Sequence, residues 1–339
     1  MRTTFISTNV LNNTARSSVT RLQQQFVDAN TESTTGRHAD MGNALGVDTG
    51  KAVQLRQEYD ARQETVSANK VALGRVDTTQ AALNSTISTA NDFLKSVLQT
   101  TNVSRSLLAS QAENGLSALI STINTTQSGR YVFGGINSEQ PPLKDYNGAA
   151  KTSIDNAVAA KWPGNTVSTA TPADVQSFLD NEFATQFNDA NWKANWSNAS
   201  DTNVTIRLEG GESVDTSTNA NVSPVRKLAM AYAMVQTFAS KGLNDEAMKV
   251  VLAKAQTLSG EAVGEFADVG GKLGMTTQRV TAENDRISKQ NDVLSRRIGE
   301  LENVDQAEAK TRADTLSNQI QMSYSITSKI LKLSILNYA

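Results

Sequence analysis

LGMTTQRVTAENDRISKQNDVLSRRIGEL, Leu273 to Leu301, carries Leu273, Val280, Ile287, Leu294 and Leu301 in strict seven-residue spacing. Such spacing puts the apolar side chains on one stripe of a long helix packed along a partner. The intervening positions Thr277, Asn284 and Asn291 are polar, and Ile298 restores the pattern. Asparagines in a seam weaken it but fix its register and the number of partners.

An N-terminal arm has matching periodicity. Val66, Leu73, Ile87 and Leu94 share one seven-residue register, interrupted by Gln80, while Val76, Leu83, Ala90 and Val97 share another offset by three. A further helix follows a break around Thr100 to Ser104 and presents Leu108, Ala112, Leu119 and Ile123. Another is expected from Ser223, read as its N-cap, with Pro224 in the first turn. Its buried face is Leu228, Tyr232, Val235 and Phe238, and Gly242 ends it. No long loop breaks either arm, so antiparallel helices within one chain fit better than a parallel dimer.

All five prolines and all three tryptophans fall between residues 141 and 224. Proline breaks helix interiors, so two long proline-free arms around a proline-bearing centre indicate helical arms around an insert. Within that centre Thr171 reads as a cap, Pro172 and Asp174 occupy the first turn, and Val175, Phe178, Leu179, Phe183 and Phe187 share a face. NVTIRLEGGESV alternates Val204, Ile206 and Leu208 with polar residues and turns at Gly210-Gly211, a strand and hairpin. The fold class is therefore mainly α: a long antiparallel helical bundle or coiled coil built from both arms, with a small α+β domain inserted in the middle. With aromatic content of only 5%, long thin layers are expected instead of a large compact core.

Chemistry is sought next, and the candidates fail in turn. A net charge of -2 gives no basic excess for nucleic acid. The longest apolar run, Leu228 to Val235, is far short of the roughly 18 residues of a membrane span, and MRTTFISTNVLNNT does not resemble a secretory signal. Cysteine is absent and His38 is the single histidine, which removes thiolate chemistry and a histidine-rich metal site. GVDTGK (Gly46 to Lys51) is one residue short of a phosphate loop, with Ala52 where Ser or Thr is needed; VGGKLG has Phe266 in place of the first glycine. His38 reads as a solvated loop residue next to Asp40 in a glycine-rich turn. Glu300, Glu302, Asp305 and Glu308, flanked by Arg296, Arg297 and Lys310, read as a salt-bridged, solvated helix face. No enzyme, cofactor or metal site is expected.

The two ends remain. Ala15, Val19, Leu22, Phe26 and Ala29 form a narrow seam that one partner helix could cover. At the other end Leu316, Ile320, Tyr324, Ile326, Ile330, Leu331, Leu333 and Ile335 spread over an arc of roughly 200 degrees, wider than one partner needs. The expectation is that the ends pair with each other and that the leftover apolar face is buried against neighbouring subunits. Each fully buried large side chain contributes about 1.5–3 kcal/mol, so helices that are disordered in the free chain could be ordered by assembly.

STNV (Ser7 to Val10), the turn STTGRHADMGNALG (Ser33 to Gly46), the proline-free arms, the central insert and the apolar C-terminal helix together resemble the bacterial flagellin superfamily. Within it, RYVFGGINSEQPPL (Arg130 to Leu143), including Tyr131, Val132, Phe133, Gly134 and Gly135, is similar to a segment of the hook-associated protein 3 family of hook-filament junction proteins. The ending LSILNYA also resembles that family. STTGRHADMGNALG departs from the commoner Ser-Thr-Gly-Lys/Arg turn followed by an Asp-Asp-Pro-Ala-like stretch.

The resemblance implies unfolded export through the flagellum's own type III secretion path without a cleaved signal peptide, and an extracellular place in the flagellum. It also implies self-assembly as a ring beside a neighbouring hook-associated protein and flagellin, with an export chaperone on the C-terminal segment. Residues 1–42 plus 305–339 would form the inner tube, 43–135 plus 223–304 the helical bundle, and 136–222 an outward-facing α+β domain. A divergent filament flagellin is the alternative, and an intracellular coiled-coil scaffold a further one.

Overall fold

The computed structural model describes residues 8–98 and 104–336, with side chains at 8–12, 15 and 330–336 outside that description. The chain divides into two compact units, one made of the residues up to Thr65 and from Arg286 onward, the other of Val66–Asp285. Its helices are α1 (Thr8–Thr35), α2 (Met41–Leu45), α3 (Thr49–Leu98), α4 (Arg105–Ile123), α5 (Ala149–Lys161), α6 (Pro172–Phe178), α7 (Asp189–Asn191), α8 (Ser223–Ser240), α9 (Asp245–Glu302) and α10 (Gln306–Leu336). Among the described residues two antiparallel hairpins form: β1 (Thr126–Gln127) with β2 (Arg130–Tyr131), and β3 (Thr205–Arg207) with β4 (Ser213–Asp215). The mainly α architecture with a small α+β insert is the one expected. The break at Thr100 to Ser104 lies mostly outside the described residues.

In the Val66–Asp285 unit α3 and α9 run antiparallel: Asn69 Nδ2 donates to Asn284 Oδ1 at 2.8 Å, and Gln80 lies beside Gly274. On α9 Leu273 and Val280 are buried as the spacing requires. On α3 only one of the two registers is buried, Val76, Leu83, Ala90 and Val97. Leu73, Ile87 and Leu94 are half-buried, and Asn69, Thr79, Thr86 and Phe93 complete the inner face. The threonines tolerate burial because each hydroxyl donates to the carbonyl four residues back, Arg75 O at 2.8 Å and Ala82 O at 3.0 Å.

Helix α8 is buried almost all round and packs on α4. The two approach so closely that a Cβ at Gly115 would lie 2.5 Å from the Tyr232 ring. The expected cap differs: Ser223 is already helical and Val222 occupies the cap position. The Tyr232 hydroxyl is buried with no partner among the described residues, and burial pushes its pKa well up. Because an unmatched buried hydroxyl is costly, Tyr232→Phe should be neutral or stabilising by up to about 2 kcal/mol. Urea unfolding followed by tryptophan emission checks this; clear destabilisation would show that the hydroxyl is bonded.

The insert is more compact than its aromatic share suggested. Trp162, Phe178 and Phe183 surround Phe238 of α8 at ring separations of 6.0, 6.1 and 6.3 Å. Trp192 and Trp196 stack at 5.3 Å with an interplanar angle of 12°. Few aromatics suffice for a dense core when they are gathered, as Tyr146, Trp162, Phe178, Phe183, Phe187, Trp192, Trp196 and Phe238 are, into one set of ring contacts. Thr171 caps α6 as expected, accepting from Asp174 N at 3.2 Å and donating to Asp174 Oδ2 at 2.6 Å, which holds that carboxyl below its usual range. The expected β3–β4 hairpin lies on α9: Leu208 and Val214 pack on Val280, and Glu209 N donates to Glu283 Oε1 at 3.0 Å.

The other unit has a thin core of small residues, Ala29, Ala52, Ala309 and Ala313, with Leu55, Ile287 and Leu294. Alanine there lets helix backbones approach closely.

Candidate assembly site

Helices α1 and α10 come from opposite ends of the chain and pack on each other. Gln23 Nε2 donates to the Tyr324 hydroxyl at 2.8 Å and Arg312 pairs with Glu32 at 2.9 Å, so the two run antiparallel. Of the residues expected to form the interface, Val19, Leu22 and Phe26 are half-buried on α1, and Leu316 and Ile320 are half-buried on α10. Beyond them Met322, Tyr324 and Ile326 stand 58, 53 and 57% exposed. The side chains of Ile330, Leu331, Leu333 and Ile335 lie outside the description, as does that of Ala15.

The base of this pair is held by a polar knot that sequence reading missed. Glu302, expected on a solvated face, is buried: its side chain is 4% exposed and is clasped by the guanidinium groups of Arg37 and Arg56. Glu300, Asp305 and Glu308 are exposed as expected, and Asp305 caps α10 by accepting from Ala307 N at 2.8 Å and Glu308 N at 3.2 Å. Backbone bonds close the same knot, His38 N to Glu302 O and Val304 N to Gly36 O, both 3.0 Å. Gly36 has φ 71°, and a Cβ there would lie 2.9 Å from Gln306 Nε2, so the turn accommodates glycine alone without strain. His38 is half-buried, with Nδ1 3.7 Å from Glu32 Oε1, and is not the freely solvated residue expected. Asp40 caps α2, accepting from Asn43 N at 2.9 Å. The arginine in the turn after α1 and the glutamate closing the α9 heptads were visible in sequence, but nothing in their spacing linked them.

The Tyr131–Gly135 segment is a core element of the Val66–Asp285 unit. Ser128 and Gly129, both at positive φ, turn β1 into β2. Tyr131 is half-buried, while Val132 and Phe133 are fully buried. Gly134 O accepts from Ser200 N at 3.0 Å and Phe133 O accepts from Ala220 N at 2.9 Å. A Cβ on Gly135, which has φ 61°, would lie 2.6 Å from Thr202 O and 2.7 Å from Ser200 O. Two buried glycines thus let the strand end meet the 198–220 segment backbone to backbone.

Residues 6–138 match the bacterial flagellin N-terminal helical region, and residues 257–339 match the bacterial flagellin C-terminal helical region, together well over half of the chain. The chain belongs to the bacterial flagellin family. In this flagellin-family protein α1 to α4 and the Tyr131–Gly135 segment lie in the first match, most of α9 and all of α10 lie in the second, and the insert with α8 lies between them. Its role is that of a flagellin-like structural protein. The fold is similar to that of a solved protein from Vibrio parahaemolyticus described as a flagellar hook-associated protein, with 11% identity and a TM-score of 0.54, covering 76% of this chain and 99% of that one. The crystal structure of Bacillus cereus FlgL is also similar, with 12% identity and a TM-score of 0.45, covering 69% of this chain and 98% of that one. No curated protein matches the sequence significantly. Among the described residues no helix is long and apolar enough to cross a membrane.

Proposed function

We propose that this protein joins hook to filament in the bacterial flagellum, assembling as a ring through its paired terminal helices. The observation that carries the reading is the α1–α10 pair, which covers Leu22, Phe26, Leu316 and Ile320 only in part and leaves Met322, Tyr324 and Ile326 exposed. Apolar residues left exposed on a helix are the natural contact for further copies. In this reading residues 1–42 and 305–339 form the inner tube, ordered by assembly, and 136–222 faces outward. The neighbours are another hook-associated protein on one side and flagellin on the other. The chain travels unfolded through the flagellar export path, without a cleaved signal peptide, and a chaperone covers its C-terminal segment beforehand. Similarity of the fold to a protein described as hook-associated, and the Tyr131–Gly135 segment, support a junction role over that of a filament flagellin.

Ile326→Asp tests it. The variant should keep the wild-type tryptophan emission and unfolding midpoint of the Val66–Asp285 unit, yet fail to enter assemblies in sedimentation velocity and fail to restore motility to cells lacking the protein. Normal assembly by the variant would remove the terminal helices from the interface. Long homopolymers of the wild-type chain alone would favour the filament reading over the junction.

A further inference from the structure

We infer that Asn147-Gly148 is a site of spontaneous deamidation, and that the fold protects the chain's other Asn-Gly pair, Asn114-Gly115. The chemistry is intramolecular. The backbone nitrogen of the glycine attacks the asparagine side-chain carbon, the new C–N bond closes a five-membered imide, and the side-chain amide leaves as ammonia with the backbone proton. Water then opens the ring at either carbonyl, giving aspartate or its β-linked isomer. One water is consumed and one ammonia released, so no oxidant or cofactor is needed.

The two pairs are chemically identical in sequence and differ only in where the fold puts them. Asn147 and Gly148 are both exposed, in the turn ahead of α5. The Asn147 side chain makes no hydrogen bond among the described residues, and the Gly148 N–H is held only by a long bond to Asp145 O at 3.2 Å. Asn114-Gly115 lies inside α4, where helical ψ holds the following nitrogen away from the side-chain carbon and the N–H is committed to the helix. Gly115 is also buried against the Tyr232 ring, so the backbone there cannot rotate without opening the α4–α8 packing. The next most reactive pair in a turn, Asn137-Ser138, is restrained: Ser138 is buried and its carbonyl accepts from Tyr131 N at 2.9 Å.

The product places a carboxylate beside Asp145 in the turn just ahead of α5, on the wall of a surface groove that Lys144 and Tyr146 also line. The aspartate form suits the positive end of the helix. The β-linked form lengthens the backbone in a turn that α5 anchors through Ala150, Ile154 and Val158.

The test is peptide mass mapping of the full-length protein during incubation in mildly alkaline buffer, with β-linked aspartate detected by enzymatic methylation. Conversion at Asn147 should run at least about tenfold ahead of Asn114, which reacts only through local unfolding. Asn147→Gln should abolish the signal at that peptide. In denaturing urea the two pairs should react at similar rates. The inference is overturned if Asn147 stays intact while Asn114 or Asn137 converts. It is equally overturned if Asn114 stays slow in urea, because the difference would then come from local sequence and not from the fold.

Discussion

Asn221→Ala should lower the stability of the Val66–Asp285 unit by about 2–6 kcal/mol, the sum expected for orphaning two hydrogen-bonding groups at about 1–3 kcal/mol each. Asn221 Oδ1 accepts from Trp192 Nε1 at 3.1 Å, and its Nδ2 donates to Ala199 O at 3.0 Å and to Asp201 Oδ1 at 2.7 Å. Asp201 is largely exposed and can turn to water, but Trp192 is fully buried, so its N–H would have nowhere to go. All three tryptophans lie in this unit, so their emission during urea unfolding reads the loss directly. Lys193→Ala, which removes exposed ion pairs to Asp189 and Asp201 nearby, should change the midpoint little. An Asn221→Ala midpoint close to wild type would show that the Trp192 hydrogen bond is dispensable.

The second large effect concerns the Glu302 knot and has a built-in asymmetry. The Arg37 and Arg56 side chains are each 42% exposed while that of Glu302 is 4% exposed. Removing the acid leaves two cations that water can reach, whereas removing the cations strands a carboxylate where water cannot follow. Arg37→Met with Arg56→Met should therefore cost the α1–α10 unit about 3–5 kcal/mol, and Glu302→Gln only about 1–2 kcal/mol. That unit contains no tryptophan, so the loss should appear as an early fall in helical ellipticity while the tryptophan transition stays in place. If Glu302→Gln proved as damaging as the double arginine variant, the buried-charge account would fail. If both transitions moved together, the two units would unfold as one.

What the sequence determined by itself is everything that depends on local periodicity and punctuation. Leu273, Val280, Ile287 and Leu294 had to share a helix face because a seven-residue repeat nearly matches two helical turns. Thr171-Pro172 had to open a helix, and the alternation from Val204 to Leu208 before Gly210-Gly211 had to make a hairpin. The terminal helices and their apolar excess were legible for the same reason.

Tertiary structure decided the polar interior. Thr216, Ser217, Thr218, Asn219 and Asn221 have the composition of a surface loop, yet all are buried, and partners on the 199–204 segment bond the side chains of Thr216, Ser217, Asn219 and Asn221. Glu302 reads as one more charge on a solvated helix until the turn after α1 brings Arg37 to it. On α3, Thr79 and Thr86 took inner-face positions while Leu73 and Ile87 were left half-buried, because what packs around a long helix chooses its inner face. Hydrophobic spacing encodes which side of an element faces inward, but a buried polar group is stable only if its partner arrives, and that partner is set by the fold.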